Sequence, residues 1–232
     1  MLRKVEPPKS GGFFVRQSDG MVDIYSGSFP AWVEIELMVA EFDFCEAMTS
    51  LCRDVCERHR EFRHIDMNQV LVSVAQTRSP SKFGRQAKLT PLRFANGRRV
   101  EKRGDQYWAV QRLWHDGLEM RYLLTFYLPR FQDQSYTEKL VTVFHELYHI
   151  DPEFTGDVRR FPGACYLHSE SQLEYDRRMA RYVRQYLRIT TDPTKRSFLK
   201  TNFRGLERKQ GKVVGLRVPI PRVLPVPAKE AA

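Results

Sequence analysis

The sequence has few cysteines and no long apolar run. Its 232 residues include four cysteines, too few to expect a disulfide scaffold in a chain of this length. No apolar stretch approaches the ~20 residues that span a bilayer. The first residues, MLRKVEPP, contain no apolar segment typical of a secretory signal. These absences argue against a disulfide-rich secreted domain and a membrane protein, and we expect a soluble protein of the reducing cytoplasm.

The composition is that of a folded domain. Hydrophobic residues make up 42% of the chain and charged residues 28%, so the chain can bury a core and wholesale disorder is excluded. Residues 1–23 contain several prolines and glycines and little periodicity, which indicates a loose N-terminal arm. Because periodic patterns end near residue 190, we predict one domain over residues 24–190 and a basic, extended C-terminal tail over residues 191–232.

The net charge of +10 is unevenly distributed along the chain. Residues 78–103, which we predict to be a loop inserted into the domain, carry nine basic residues and one acidic residue. Residues 191–232 carry ten basic and three acidic residues. Lys and Arg attract polyanions, so one interpretation is a nucleic-acid contact through this loop and tail. Aromatic residues that could stack on bases are few in both segments, and the other interpretation is a solvated loop and tail.

Hydrophobic periodicity predicts an α+β fold. Apolar residues recur at three- and four-residue steps from Pro30 to Arg60, which indicates a long N-terminal helix. Runs rich in β-branched and aromatic residues predict three strands, at Gln69–Thr77, Tyr107–Trp114 and Leu118–Leu128. The tripeptide His115-Asp116-Gly117 is typical of a hairpin turn. We expect a small, mostly antiparallel sheet packed on the long helix.

A second helix has explicit start and stop signals. Ser135 and Glu138 have the spacing of a capping box, in which each side chain binds the other residue's backbone N–H. Asp151-Pro152 ends the helical pattern. A second capping-box match at Ser171 opens a last helix, whose apolar side begins at Tyr175.

The second helix contains the sequence His145-Glu146-Leu147-Tyr148-His149. Four residues are slightly more than one helical turn, so both imidazoles emerge from the same face and could bind one Zn²⁺ ion. Glu146 lies beside that face, where its carboxylate could take a proton from a metal-bound water. The pattern therefore predicts a zinc site with His145 and His149 as ligands and Glu146 as the general base.

A catalytic zinc site needs a third protein ligand and keeps a fourth position for water. We favour His168 as the third ligand, because the loop before the last helix could carry it back over the second helix. Asp157, Glu170 and Glu174 remain alternatives, since carboxylates also bind zinc, and the sequence leaves the choice open.

The histidine pair opens a longer recognisable segment. It continues through Ile150-Asp151-Pro152-Glu153-Phe154-Thr155-Gly156-Asp157 to the basic pair Arg159-Arg160. This segment resembles the phage metallopeptidase family, and the order of predicted elements is more distantly similar to that of SprT-like zinc peptidases. We interpret Gly156-Asp157 as a tight turn whose carboxylate orients a histidine ligand, with a plain turn and surface basic pair as the alternative.

The resemblance implies a zincin-like fold, a bound Zn²⁺ ion and hydrolysis of peptide bonds. Carried over to this chain, it makes His145 and His149 ligands and Glu146 the base. In peptidases of this architecture the strand before the helix lies beside an extended substrate, and here that strand would be Leu118–Leu128.

We therefore expect a cytoplasmic zinc-dependent metallopeptidase that acts on a protein or peptide substrate. Two alternatives come from other functional classes. One is a nucleic-acid-associated protein in which the zinc is structural, and the other is a metal-dependent amidohydrolase that acts on a non-protein substrate.

Overall fold

The chain has an α+β fold, seen in a computed structural model that describes residues 14–16, 41–77, 83–160 and 172–227. The α-helices are α1 Phe44–Arg58, α2 Tyr136–Tyr148, α3 Gln172–Ile189 and α4 Phe203–Gln210. Short 3-10 helices lie at Arg60–Phe62, Met67–Gln69, Ala95–Gly97 and Thr194–Lys200. The strands are β1 Phe14–Arg16, β2 Glu41–Asp43, β3 Val70–Gln76, β4 Ala87–Pro91, β5 Val100–Arg103, β6 Gln106–Val110, β7 Trp114–His115, β8 Leu118–Glu119, β9 Tyr122–Leu128, β10 Lys212–Leu216 and β11 Val223–Val226.

The described strands form three separate sheets and one hairpin. In the sheet next to the candidate site the order is β3-β9-β4, with β3 parallel and β4 antiparallel to β9. A second sheet has the order β1-β10-β2 and is parallel throughout. A third, antiparallel sheet has the order β11-β6-β5, and β7 pairs with β8 as the predicted hairpin. Every helix in the described ranges is too short or too polar to cross a membrane.

The three predicted strands do not share one antiparallel sheet. Val70–Gln76 and Tyr122–Leu128 are neighbours but run parallel, because a long connection containing other strands separates them and allows a crossover. The predicted strand at 107–114 overlaps β6, Gln106–Val110, which lies in a different sheet. The predicted strand at 118–128 is interrupted, since Leu118–Glu119 belongs to the hairpin.

Helix α1 is shorter than predicted. Within the described part of the predicted span, residues 41–43 form β2, which pairs with β10, and the helix begins at Phe44. Asp43 caps the helix, because its carboxylate accepts a hydrogen bond from the Glu46 N–H at 3.0 Å. Residues 30–40 of the prediction lie outside the described residues. The predicted apolar stripe is buried over Cys45, Met48, Cys52, Val55 and His59.

The C-terminal residues 191–227 fold onto the domain and do not form the extended tail that we predicted. Their apolar side chains enter the core, namely Phe198, Leu199, Phe203, Leu206 and Val213. Lys139 of α2 is 1% exposed, and its Nζ donates to the carbonyl oxygens of Leu199 and Thr201 at 2.9 and 2.6 Å. The periodic stretch is short and interrupted by charged residues, so it predicts no further domain element, and only contacts with distant elements reveal this packing.

The basic segment 78–103 is also part of the fold over its described residues, which begin at 83. It supplies β4, the third strand of the β3-β9-β4 sheet. Leu89 and Leu92 are 7% and 1% exposed, so the segment alternates buried apolar residues with charged ones. Burial of these side chains explains why it is not only a solvated loop.

Aromatic rings fix the helices that carry the candidate site. Phe62 lies 5.2 Å from Phe144 of α2 and 6.0 Å from Tyr182 of α3, measured between ring centroids. His59, at the end of α1, contacts the same three rings. Edge-to-face contacts of this kind add to the burial of the rings themselves. The cluster therefore sets the position of α2 relative to α1 and α3.

The capping box at the start of α2 forms as predicted. The Glu138 N–H donates to Ser135 Oγ at 3.3 Å, and the Ser135 N–H donates to Glu138 Oε2 at 2.8 Å. We expect Ser135→Ala to lower the free energy of unfolding by about 1 kcal/mol, because an N–H of the first turn loses its acceptor. Urea denaturation would measure the change. Ser135→Asp keeps an acceptor and should restore most of the stability, and equal losses in both variants would contradict the capping role.

Candidate metal centre

Helix α2 places His145 and His149 side by side. Their ring centroids lie 4.7 Å apart, with the ring planes inclined at 74°. His149 is the C-cap of the helix, and its backbone N–H donates to the carbonyl oxygens of Glu146 and Leu147. Both imidazoles are half-buried. The one-turn spacing expected from the sequence therefore brings the two predicted ligands together at the carboxyl end of α2.

Glu146, the residue after His145, is bound to the sheet. Its Oε2 accepts a hydrogen bond from the Leu89 N–H of β4 at 2.7 Å, and the side chain is 9% exposed. Burial raises the pKa of this carboxyl group to about 7, although the Leu89 hydrogen bond and the charges of Arg85 and Lys88 act in the opposite direction. Within the described ranges no donor reaches Oε1. One oxygen is therefore anchored, and the group can exchange a proton near neutral pH.

Tyr175 of α3 covers both imidazoles. Its ring centroid lies 4.8 Å from that of His145 and 6.0 Å from that of His149, and the residue is fully buried. Burial raises the pKa of Tyr175, and nearby Tyr148 and Glu146 act in the same direction. The sequence indicated only an apolar helix face here, because the position of Tyr175 over the histidines depends on how α3 packs against α2. The ring excludes water from one side of the pair.

The predicted third ligand cannot be located. His168 and Glu170 lie outside the described residues. Across ranges 14–16, 41–77, 83–160 and 172–227, no three His, Cys, Asp or Glu side chains are arranged to hold a metal ion. Glu174 is an exposed residue of α3. The choice of His168 thus stays a prediction.

Asp157 fixes the loop that follows α2, and none of its side-chain hydrogen bonds within the described ranges involves a histidine. Its Oδ1 accepts from the Val158 N–H at 2.8 Å, and its Oδ2 accepts from the Asn96 N–H at 3.2 Å. The guanidinium of Arg160 binds both oxygens, at 2.9 and 3.0 Å. These donors occupy the carboxylate, which is 5% exposed. Among the described residues they favour the alternative interpretation, a turn followed by a basic pair, and Asp157 as a metal ligand stays an untested alternative.

Arg159 stabilises the carboxyl end of α2. Its guanidinium lies 4.0 Å from the centroid of the Tyr148 ring and 3.1 Å from the Glu61 carboxylate. Its backbone N–H donates to the His149 carbonyl oxygen at 2.7 Å. The basic pair that follows the motif therefore has a structural role, with Arg159 held against the helix and Arg160 against the loop.

The strand nearest to Glu146 is β4, not the predicted strand 118–128. Strand β9 is paired on both sides, so it cannot accept another strand. The Gln86 carbonyl accepts from Tyr127 of β9, and the Leu92 N–H donates to Arg121 just before β9. Alternation along an antiparallel strand therefore directs the Leu89 N–H away from β9. The hydrogen bond from Leu89 to Glu146 confirms that direction. Among the described strands none pairs with this outer side of β4, which is an edge next to the candidate base.

The described residues fit part of a catalytic zinc site. Two imidazoles at this spacing can each direct a ring nitrogen at one ion. The carboxyl end of a helix, where His149 lies, favours positive charge. The carboxylate of Glu146 is turned toward β4, so it can act beside the ion without ligating it. The two imidazoles and this carboxylate are thus groups that a zinc centre could use.

Comparison with known proteins gives one result. The model of the family described as "Putative phage metallopeptidase" matches residues 40–169, which is more than half of the chain and includes α1, the β3-β9-β4 sheet and α2. No significant match was found among curated proteins or solved structures. A match of this extent, over the segment that contains the histidine pair and Glu146, places the chain in the phage metallopeptidase family.

Proposed function

We propose that the protein is a zinc-dependent peptidase with His145, His149 and His168 as metal ligands and Glu146 as the general base. The observation that carries the proposal is the position of Glu146, which is buried beside the paired imidazoles and anchored by one oxygen to an edge strand. Family membership supports a metal-dependent hydrolase. The pairing of two imidazoles one helical turn apart supports zinc as the ion.

Each residue of the proposed site has a separate role in hydrolysis. A bound Zn²⁺ would act as a Lewis acid and would lower the pKa of a coordinated water. Glu146 takes a proton from the attacking water at Oε1, while the Leu89 N–H holds Oε2. The same carboxyl group then gives the proton to the leaving amine, which a pKa near 7 permits. Tyr175 keeps the histidines in place and keeps bulk water away from them.

The edge of β4 supports a peptide as the substrate. An extended peptide can add to a sheet edge through main-chain hydrogen bonds. The outer side of β4 runs past Glu146, so a peptide bound there would bring a scissile bond close to the base. A non-peptide amide would not use such an edge. This favours the peptidase over the amidohydrolase alternative.

Zinc content tests the proposed centre. The purified protein should contain about one zinc per chain by inductively coupled plasma mass spectrometry, and His145→Ala and His149→Ala should each lose most of it. His115→Ala is the matched control, because His115 lies on the exposed β7–β8 hairpin. If either site variant keeps a full complement of zinc, the centre is placed wrongly.

The third ligand needs a separate comparison. We expect His168→Ala to lower zinc affinity strongly and Glu174→Ala to leave it nearly unchanged, as measured by competition with a chromogenic chelator. The opposite result would assign the third position to Glu174. Asp157→Asn should mainly reduce stability, because its donors are loop amides and Arg160.

A further inference from the structure

A cavity of about 460 Å³ lies at the β5-β6-β11 sheet, away from the histidine pair. One wall is aliphatic and consists of Val100, Ala109, Val110 and Val226. The other lining side chains are charged and consist of Arg93, Arg99, Arg112 and Glu119. We call these eight residues the arginine pocket. A cavity of this size can hold a small organic ligand.

The arginine pocket has more positive than negative charge. Glu119 is its one acidic lining residue, with a side chain 11% exposed. Its carboxylate lies 3.0 Å from Arg93 and 2.9 Å from Arg99, and a longer contact of 3.7 Å joins it to Arg112. One carboxylate balances one guanidinium, so two of the three positive charges of the lining have no counter-charge within it.

Arg93 is held in place before any ligand arrives. Its backbone N–H donates to the Gly156 carbonyl oxygen at 3.1 Å, and its Nη1 donates to the Leu92 carbonyl oxygen at 2.8 Å. Gly156 has φ +98°, and a Cβ there would lie 2.5 Å from Arg93 Cγ. A glycine is therefore needed at position 156, because a larger residue would collide with the aliphatic part of the Arg93 side chain.

The electrostatics around Arg93 agree with an excess of positive charge. Burial lowers the pKa of Arg93, and Glu119 opposes that effect. Arg99 and Arg121 lower the pKa again, and the net direction is downward. An anion entering the pocket would relieve this repulsion, whereas a cation would increase it.

We propose that the arginine pocket binds the phosphate group of a small phosphorylated ligand. A phosphate dianion matches the two unbalanced charges, and guanidinium groups bind phosphate oxygens in a fork geometry. The aliphatic wall offers a surface for the organic part of the ligand. The site involves neither the histidine pair nor Glu146, so the proposal is independent of the peptidase function.

Inorganic phosphate is the first probe. Isothermal titration calorimetry on the full chain should show saturable binding of phosphate above a background of sodium chloride at equal ionic strength. We expect the double variant R99Q/R112Q to weaken this binding by about tenfold or more, because two charge-assisted contacts are lost. The side chains of Arg99 and Arg112 are 56% and 57% exposed, so neither substitution empties a core position.

A matched control removes the same charge from the same region. Arg98 and Arg103 are 55% and 57% exposed and lie near Glu101, outside the pocket lining. The variant R98Q/R103Q should bind phosphate within about twofold of the unmodified protein. Circular dichroism and thermal unfolding would verify that each variant folds. If R99Q/R112Q does not fold, the single variant R112Q replaces it.

Three results would overturn the proposal. The first is the absence of saturable phosphate binding. The second is an equal loss of phosphate affinity in R99Q/R112Q and in the control R98Q/R103Q. The third is binding of a single-stranded oligothymidylate that requires Arg99 and Arg112 while inorganic phosphate does not bind, because the anion would then be a nucleic-acid backbone.

Discussion

Glu146→Gln should reduce peptidase activity by roughly 10²–10⁴-fold while leaving the zinc content unchanged. Glutamine keeps the shape of the side chain, and its amide oxygen can still accept the hydrogen bond from the Leu89 N–H. It cannot accept a proton from the attacking water. The loss should therefore appear in kcat, with a smaller effect on KM.

Cleavage of an unstructured protein such as casein, followed by release of new amino termini, would measure the effect. Glu153→Gln is the matched control, since Glu153 is an exposed residue four positions after His149 and should keep full activity. Zinc analysis of both variants separates loss of the base from loss of the metal. Full activity in Glu146→Gln, with zinc bound, would remove Glu146 from the mechanism.

The second large effect is expected for stability, at Asp54 of α1. This fully buried carboxylate accepts hydrogen bonds from Arg58 at 2.8 Å, Tyr186 at 2.7 Å and Lys195 at 3.2 Å. It therefore joins α1 to α3 and to the C-terminal segment. Asp54→Ala should lower the free energy of unfolding by about 3–5 kcal/mol, because it leaves buried donors and a positive charge without their acceptor.

The pH dependence gives a second test of Asp54. Burial alone would raise the pKa of Asp54, but the hydrogen bonds from Arg58, Tyr186 and Lys195 outweigh it and the pKa is lowered. The stabilisation is therefore complete above the ordinary value of 3.8 and is lost as the pH falls through the lower value of the folded state. Urea denaturation at several pH values should show the difference between the wild type and Asp54→Asn shrinking below pH 3.8.

Exposed Asp105 provides the comparison for the buried group. Asp105→Ala should change the free energy of unfolding by about 0.5 kcal/mol or less. A similar small value for Asp54→Ala would show that the buried network does not stabilise the fold. A pH-independent difference between the wild type and Asp54→Asn would contradict the lowered pKa.

Local features of the chain could be predicted because each depends on a few neighbouring residues. The capping box needs only the spacing of Ser135 and Glu138, and it is present. The contact between His145 and His149 follows from helical periodicity alone, and their centroids lie 4.7 Å apart. The resemblance read from the motif is confirmed by the family match over residues 40–169.

Features that join distant residues could not be predicted in the same way. The parallel pairing of β3 with β9 depends on the path of the intervening chain, which no alternation pattern records. Phe198 and Leu199 are buried although they belong to no long periodic run. The short strand β10 is recognisable only through its partners β1 and β2.

The candidate site shows the same difference between local features and contacts with distant elements. The two imidazoles and the carboxylate were predicted, whereas the Leu89 partner of Glu146 and the Tyr175 ring over the histidines come from other elements. The edge strand was assigned wrongly to Leu118–Leu128 because sequence order does not reveal that β9 is flanked on both sides. The third ligand depends on the course of a loop that local spacing does not determine.

The position of β10 between β1 and β2 has a consequence for synthesis on the ribosome. Leu216 of β10 follows Cys45, with which it shares a hydrogen bond, by 171 positions. At about 5–20 residues per second, the early strands wait roughly ten to forty seconds for their common neighbour. During that time the nascent chain exposes unpaired strand backbone to chaperones and proteases. Completion of this sheet is thus a late step that follows translation of residue 216, and translation rate should affect the yield of folded protein.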